Sequence, residues 1–508
     1  MLKFFFTNIP KQKFNIGLIV NITISFIFFL IFFKICLFRY NSLQYHDWDF
    51  SLFANGLWNI VHGNFSISVY GRLFLANHFN LFAFILAPIY FIFQTPITLL
   101  FFKILALSLT SIPIYLIAKK YFSQQNSVLF SIIYLLYPSL LYVILYEFHF
   151  EDFAPLFLTI IFYSLINRKN IFAIIFTLLA ISCKENIPLV SASIGIYAII
   201  FIKKQRKIGF IIFLLSSLYF LLVTLYLQPM CTASAGKNIG YASHYSQYGK
   251  GFLNVFIYIA THPITIIKDL FSTKLKINFF KNIFSPLGYL PLLRPDILII
   301  IFPTILKNLL SKVPTTHTIY WQYTSTIIPF LVISTIFSLK WICSKIKFLK
   351  KYIIFILIFI IINEIILSLN FYKKSHYFVR YDKKNTINEI KKTAIKLIPK
   401  NASVICTFDF LPKLSQRKNI FTFYMLWRHR LKYKNFSSVE YAIIDFNDYF
   451  VEKDFLYQSE LISNMFSQYL LNPEWSVKYE KSDIIVLKKE KTPKTTNLIK
   501  ILENNNNN

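Results

Sequence analysis

The sequence predicts a mainly α-helical protein that crosses a membrane many times and carries a small α/β domain near its C-terminus. Hydrophobic residues make up 56% of the 508 residues, charged residues only 15%, and the mean hydropathy is +0.52. Many apolar runs approach the ~20 residues that cross a hydrocarbon core. After Asn370 the apolar runs shorten to the length of strands, which indicates the second domain.

The net charge of +31 would suggest a nucleic-acid partner in a soluble protein. Here the lysines and arginines lie mostly in short loops between apolar runs, so we expect contact with membrane lipids and no nucleic acid. The five cysteines do not have the spacing of a zinc site or a disulfide framework.

The first apolar run, residues 16–37, is too long for a signal-peptide core and has no small-residue cleavage site, so we expect it to stay as a membrane anchor. Lys3, Lys11 and Lys13 precede it without any acid, which places the N-terminus in the cytoplasm. The next apolar stretch, residues 79–93, leaves two alternatives open. It is either a full span or a helix lying partly in the outer leaflet.

Charge favours the second alternative. If residues 79–93 do not cross, residues 96–118 cross inward and the later basic loops fall inside. Every acid of residues 1–351 except Asp296 then falls outside. Further spans are predicted at 126–145, 153–167, 171–186, 187–202, 208–228, 274–292, 295–310, 319–338 and 352–370. The total is about eleven, and an odd number places the C-terminus outside the cytoplasmic membrane.

We therefore expect a transmembrane domain at residues 1–370, with its first outer loop at 39–95, and a soluble α/β domain on the outer face at 371–490. Residues 491–508 form a polar tail that predicts disorder. Within the second domain, helices are predicted at 384–398 and 457–470, and strands at 402–407, 441–445 and 483–487.

Ionisable residues near membrane depth are costly, so they suggest a function. Such residues recur at the predicted outer ends of separate spans. In the first loop they are Asp47, Asp49, Arg72 and His78, and we add the aromatic Trp58 of the same loop. The others are His149 and Glu151, then Lys184 and Glu185, and finally His317. A partly desolvated carboxylate can take a proton from a sugar or lipid hydroxyl. Lys184, His149 and Arg72 could hold a phosphate or pyrophosphate leaving group.

Each of these residues also has a purely structural interpretation. Asp47 and Asp49 could belong to a solvated loop, and Glu151 could cap the helix that follows it. Lys184 and Glu185 could form a structural ion pair. His317 could belong to an aromatic belt at the membrane interface. The joint occurrence at four outer positions favours a common cavity.

Several of these segments resemble a family of bacterial membrane proteins known as a domain of unknown function, number 2079. The resemblance covers most of the chain from Tyr45 onward. It is carried by Asp49-Phe-Ser-Leu-Phe-Ala-Asn-Gly-Leu-Trp58 with Asn59 and Gly63, by Asn77-His78-Phe79, Phe148-His149 and Lys184-Glu185, and by Pro286-Leu-Gly-Tyr-Leu-Pro291.

That family in turn resembles the GT-C glycosyltransferases, which use lipid-phosphate-linked sugars at the outer side of the membrane. The resemblance implies that Asp49 acts as the base, with Asp47 as its neighbour. It also implies a polyprenyl-phosphate-linked sugar donor, inversion at the anomeric carbon, and in some members a divalent cation such as Mg or Mn. No metal-ligand set is predicted from the residues themselves.

Two functions from other classes stay open at this point. A lipid or glycan transporter would place its binding groups near the bilayer midplane, where Asn363 and Glu364 are the residues to examine. A non-catalytic protein of envelope assembly would keep its function when Asp49 is replaced by asparagine.

Overall fold

The structure is a computed structural model that describes residues 15–45, 48–69, 71–233, 241–374, 386–423, 438–448, 472 and 474–490. The helices of the first part are α1 (Ile16–Asn41), α2 (Asp49–Val61), α3 (Phe74–Asn77), α4 (Phe82–Ile92), α5 (Pro96–Leu109), α6 (Ser111–Ala118), α7 (Gln124–Leu136), α8 (Pro138–Leu145), α9 (Ala154–Ile166), α10 (Asn170–Ile181) and α11 (Ile187–Phe201). They are followed by α12 (Arg206–Leu222), α13 (Gln228–Ala233), α14 (Gly251–Thr261), α15 (Pro263–Leu270), α16 (Lys274–Phe284), α17 (Pro295–Leu298), α18 (Phe302–Leu309), α19 (Ile328–Lys345), α20 (Ile353–Lys374), α21 (Thr386–Lys396) and α22 (Leu411–Leu414). The strands are β1 (Ser66–Ile67), β2 (Arg72–Leu73), β3 (Val404–Cys406), β4 (Ile420–Thr422), β5 (Tyr441–Asp445), β6 (Trp475–Lys481) and β7 (Ile484–Lys489).

Five helical stretches of the described residues are long and apolar enough to cross a membrane: Ile16–Asn41, Pro96–Ala118, Lys203–Ala233, Gln322–Lys345 and Lys347–Asn370. Two bent helix pairs raise the number to seven if each pair is one span. These are α7 with α8, bent by 51°, and α14 with α15, bent by 95°. The multispan fold is confirmed, whereas the count of eleven stays a prediction.

Residues 274–292 and 295–310 were expected to be continuous spans, but they form short helices joined by 3-10 turns. Prolines 286, 291, 295 and 303 interrupt helical hydrogen bonding there. Gly288 and Tyr289 also adopt φ angles of 58° and 59°, a left-handed conformation that ends helices. The apolar helices α14 and α15 were not predicted as spans.

Helix α4 occupies most of the stretch with two predicted alternatives. It has 11 residues and contains Pro88. At 1.5 Å per residue it is roughly 16 Å long, about half the thickness of a hydrocarbon core. This length favours the alternative in which residues 79–93 do not cross.

The helices of the first domain surround one apolar core, in which α1 packs on α5 and α7, and α11 packs on α12. The α11–α12 contact depends on Gly195 and Gly209. A Cβ atom added at Gly195 would lie 2.6 Å from the carbonyl oxygen of Gly209. Small residues therefore let these two backbones touch, as is common between membrane helices.

The C-terminal domain is built on a five-stranded sheet with the order β4-β3-β5-β7-β6. Strands β4, β3 and β5 are parallel, while β7 is antiparallel to β5 and β6. The predicted helix at 384–398 and the three predicted strands correspond to α21, β3, β5 and β7. Strands β4 and β6 were not predicted, and the predicted helix 457–470 and tail 491–508 lie outside the described residues.

This domain contacts the first loop directly. The side-chain amide of Asn55 in α2 donates to the carbonyls of Ser415 at 3.0 Å and Arg417 at 2.9 Å. The backbone N–H of Ile420 donates to the hydroxyl of Ser68 at 3.2 Å. The first loop and the C-terminal domain therefore lie on the same side of the helical domain.

Candidate functional site

Asp49 is the first residue of α2, where a carboxylate is favoured by the helix dipole. The next residue, Phe50, donates its backbone N–H to Glu147 Oε2 at 2.7 Å, which joins the start of α2 to the segment between α8 and α9. The Asp49 side chain is 23% exposed, the largest opening among the ion-pairing carboxylates of this region. Asp47, the predicted neighbour, lies outside the described residues.

The segment between α8 and α9 brings two aromatic side chains to Asp49. His149 Nε2 lies 3.3 Å from Asp49 Oδ2, without hydrogen-bond alignment, and the Tyr146 hydroxyl lies 3.5 Å from the same oxygen. Burial lowers the pKa of His149 well below its ordinary value, so the imidazole is neutral. Burial also raises the pKa of Asp49, although His78 and Lys184 oppose the shift. A carboxylate with a raised pKa suits proton abstraction.

Lys184 and Glu151 form a buried ion pair beside Asp49, with Lys184 Nζ 3.0 Å from Glu151 Oε2. Burial disfavours ionisation of Glu151, but the ammonium groups of Lys184 and Lys307, together with smaller contributions, outweigh it and lower the pKa of Glu151 to about 2. The adjacent Glu185 accepts hydrogen bonds from His78 Nδ1 at 2.8 Å and from the Phe79 N–H at 3.1 Å. His78 in particular lowers the pKa of Glu185 to about 2 against the effect of burial. Lys184 and Glu185, which were predicted as a pair, therefore bind different partners, Glu151 and His78.

Lys103 of α5 binds the segment between α8 and α9 through hydrogen bonds and an ion pair. Its ammonium donates to the carbonyls of Tyr146 at 3.0 Å and Glu147 at 2.7 Å, and it lies 3.3 Å from Asp152 Oδ2. Asp152 also accepts the backbone N–H of His149 at 3.2 Å. Burial raises the pKa of Asp152 to about 7 in spite of the lysine. Lys103 was not predicted, although a lysine inside an apolar span is the signal that would have found it.

Lys307 in α18 is a second residue that the sequence analysis missed. It interacts electrostatically with Glu151, Lys184 and Glu185, and burial lowers its pKa to about 8. Its ammonium lies 5.8 Å from the centre of the Tyr323 ring. Among the ion pairs of the described residues none includes Lys307, so its charge is not neutralised by a carboxylate in contact. Lys184, which is ion-paired, and Lys307, which is not paired among the described residues, therefore both contribute positive charge close to Glu151.

The structure places the other predicted residues at different positions. Trp58 is nine residues along α2 from Asp49, a rise of about 13 Å, and it stacks on His62. Arg72 lies half-buried in β2. His317 Nε2 lies 2.9 Å from the Ser311 carbonyl and interacts electrostatically with Lys276 and Asp269, in a neighbouring cluster.

The segment that contains His317 still reaches the site. The Trp321 ring packs edge-on against Tyr146 at 4.9 Å between centroids. His78, His149, Glu151, Lys184 and Glu185 therefore surround Asp49 as one electrostatic group. Three of the four predicted segments supply ionisable side chains to it, and the fourth supplies an aromatic ring.

The resemblance to GT-C enzymes raised a divalent cation as a cofactor. Within the described part of the chain, no group of three or more His, Cys, Asp or Glu side chains is arranged to hold a metal ion. Both oxygens of Glu185, for example, already accept hydrogen bonds. The donor set of the described residues does not fit such an ion, and the chemistry below includes no step through one.

The structure is that of a polytopic membrane protein with a GT-C-like fold. It combines a helical membrane domain, a first loop that presents a partly exposed carboxylate, and an α/β domain packed on that loop. The structure is similar to that of ArnT from Cupriavidus metallidurans bound to undecaprenyl phosphate, with a TM-score of 0.51 and 11% sequence identity, over 93% of this chain and 97% of that chain. At this identity the likeness concerns the fold.

The chain belongs to the family described as "Predicted membrane protein (DUF2079)", which matches residues 39–486. A comparison with curated proteins finds no match. The expected family and the expected fold class are both confirmed.

Proposed function

We propose that this protein is a membrane glycosyltransferase that moves a sugar from a polyprenyl-phosphate-linked donor to a hydroxyl of a lipid, glycan or protein acceptor. The observation that carries the proposal is the Asp49 carboxylate, partly exposed and 3.3 Å from a buried neutral histidine. The similar structure of ArnT contains undecaprenyl phosphate, which supports a polyprenyl-phosphate partner.

In the proposed reaction Asp49 is the general base. Its carboxylate takes the proton of the acceptor hydroxyl while the acceptor oxygen bonds to the anomeric carbon. The bond between that carbon and the phosphate oxygen breaks, and the lipid phosphate leaves with the bonding electron pair. A single displacement of this kind inverts the anomeric centre. Neutral His149 beside Asp49 adds no positive charge that would lower the basicity of the carboxylate.

Lys184 and Lys307 are proposed to bind the phosphate of the donor. A leaving phosphate gains negative charge as its bond to the sugar breaks, so nearby ammonium groups stabilise the transition state. Glu151 holds Lys184 in place at 3.0 Å, while Lys307 has no carboxylate in contact among the described residues. An unneutralised lysine close to an ion pair is suited to an anionic ligand.

The reaction is proposed to occur at the outer side of the cytoplasmic membrane. The positive-inside pattern predicts that the first loop is outside. The hydrogen bonds of Asn55 to Ser415 and Arg417 put the C-terminal domain on the same side as that loop. The N-terminus is then cytoplasmic and the C-terminal domain extracytoplasmic.

A transporter of a lipid or glycan is the second candidate, and one observation favours it. Glu364 is a fully buried carboxyl inside the span Lys347–Asn370. Carboxyls buried within spans are rare, and those that occur often mark transport pathways. Transport predicts a change in lipid sidedness with unchanged glycans.

The deciding experiment compares glycolipids and glycoproteins of the cell envelope from cells that carry the wild-type protein, Asp49→Asn or Asp47→Asn. We expect Asp49→Asn to lower the amount of one glycoform by about 10²- to 10⁴-fold, the usual contribution of a general base. The exposed Glu389→Gln variant is the control for synthesis and membrane insertion. Unchanged glycans in an Asp49→Asn protein that reaches the membrane normally would overturn the proposal and favour transport or a non-catalytic role in envelope assembly.

A further inference from the structure

Glu364 stands apart from the proposed reaction. It lies in α20, its exposed fraction is 0%, and neither carboxyl oxygen has a hydrogen-bond partner. The preceding residue fixes this part of the helix, because the Asn363 amide donates to the carbonyls of Ser285 at 2.8 Å and Pro286 at 3.0 Å. The hydroxyl of Ser368, one helical turn further along the same face, also has no partner.

The surroundings of Glu364 are a bent span. Helix α20 packs against α7 and α8, which meet at Tyr137 with a bend of 51°. Tyr137 is close enough to interact electrostatically with Glu364, but its hydroxyl donates to the Ile283 carbonyl. The Ser139 hydroxyl, in the first turn of α8, has no partner either. Both α20 and α8 therefore carry buried polar atoms without partners.

No described ion pair neutralises Glu364. The other titratable groups on α7 and α8 are Tyr134, which donates to the Leu107 carbonyl, and Tyr142, whose ring packs on Tyr320. The segments 285–287 and 347–352 also pack on α20, and the second carries Lys347, Lys350, Lys351 and Tyr352. Along the chain, the nearest lysines are Lys351, 13 residues before Glu364, and Lys373, nine residues after it, which correspond to about 20 Å and about 14 Å along a helix axis. An ionised carboxylate without a partner is very costly in a bilayer, whereas a neutral carboxylic acid costs much less.

We propose that Glu364 is a membrane-embedded proton-binding site, which carries a proton at neutral pH whenever α20 is packed on the bend between α7 and α8. The carboxylic acid then has one O–H donor, and the packed helices α20 and α8 each carry one unpartnered hydroxyl, those of Ser368 and Ser139. The ligand is a proton, and the site is independent of the proposed glycosyl transfer.

The test is infrared spectroscopy of the full-length protein in lipid nanodiscs at pH 7. Glu364→Gln should remove one carbonyl band of a protonated carboxyl from the wild-type spectrum. The matched control is Glu185→Gln, which should remove a band of an ionised carboxylate instead, because Glu185 is paired with His78. If Glu364→Gln removes a carboxylate band, the proposal is wrong.

A second measurement needs no variant at this position. An apolar carbodiimide reacts with protonated carboxyls within membranes, so it should modify Glu364 of the wild-type protein and leave the ion-paired Glu151 unmodified. Sodium chloride should not protect Glu364. Protection by sodium ions would show that a metal cation occupies the site in place of the proton, and would overturn the proposal.

Discussion

The two domains each contain a buried cluster of ionisable side chains, and the clusters differ in how completely protein groups contact their charged atoms. In the C-terminal domain, the Lys391 ammonium contacts the carboxylates of both Asp409 and Asp445 at the carboxyl ends of β3 and β5. Asp445 also accepts the backbone N–H of Asn447 at 2.9 Å. Asp448 accepts the N–H of Asp409 at 2.9 Å. Protein groups therefore contact all three carboxylates, and we call this group the closed cluster.

The cluster around Asp49 is left incomplete by comparison. Asp49 keeps 23% of its side chain exposed, and its contact with His149 is not aligned as a hydrogen bond. Lys307 has no carboxylate in contact among the described residues, although Lys184 has one. Buried charges are stable when they are paired and hydrogen-bonded. The cluster around Lys391 is therefore assigned to stability of the C-terminal domain, and the cluster around Asp49 is the one to which the proposed function assigns a ligand.

The largest effect should follow from opening the closed cluster. Lys391→Met leaves two buried carboxylates without their cation, which we expect to destabilise the C-terminal domain by about 3–5 kcal/mol. Hydrogen exchange of the β3 and β5 amides measures this free energy of opening. Lys392→Met is the matched control, since its pair with Glu389 is exposed on the same helix and should contribute ~0.5 kcal/mol or less. Equal effects of the two variants would contradict the structural role of Lys391.

The incomplete cluster should respond in binding and not in stability. Lys307→Gln removes a charge that no described carboxylate pairs, so the thermal midpoint should stay near that of the wild type. Binding of a polyprenyl phosphate in nanodiscs should weaken roughly 10- to 100-fold, the value of one or two charge-assisted hydrogen bonds. Lys312→Gln is the control, because that lysine is exposed and bonds to Ser246. Unchanged affinity in Lys307→Gln would assign Lys307 to packing.

The pH dependence of glycosyl transfer should show whether the Asp49 carboxylate is the base. Asp49 must be ionised to accept a proton, and burial raises its pKa above the ordinary value of 3.8. Activity should therefore be complete at high pH and fall about tenfold per unit once the pH drops below that raised pKa. The acid limb should lie above that of an exposed aspartate, as a pH profile of the initial rate would show. A limb at the ordinary aspartate value would mean that Asp49 is not the base.

The smallest effect concerns the contact that connects the two regions. Asn55→Ala removes two hydrogen bonds to the C-terminal domain and the acceptor for Ser68, and should weaken docking by about 1–2 kcal/mol. Cross-linking yield between α2 and the segment around Ser415 reports this contact. Asn254→Ala serves as the control, since its side chain bonds only within its own helix among the contacts described. A full yield in Asn55→Ala would show that the docking does not depend on Asn55.

The family and the GT-C-like fold follow from features that are local in the sequence. Apolar runs of membrane length, the shift to strand-length runs after Asn370, and the segments around Asp49, His149 and Lys184 are all visible without coordinates. The strands β3, β5 and β7 are nearly continuous apolar runs, and this pattern is why they were predicted. Strand β6 alternates with charged residues, so it did not stand out, and β4 was missed although it is no shorter than β3.

The composition of the site depended on the tertiary structure. The sequence determined that most ionisable residues occur near span ends, because a charge in hydrocarbon is costly wherever the chain crosses it. Only the folded helices decided that His149 lies 3.3 Å from Asp49, that Lys103 and Lys307 join the group, and that His317 belongs to a neighbouring cluster. The physical reason is distance: pairing between charges acts over a few ångströms, and those separations are set by how the helices pack and where prolines break them.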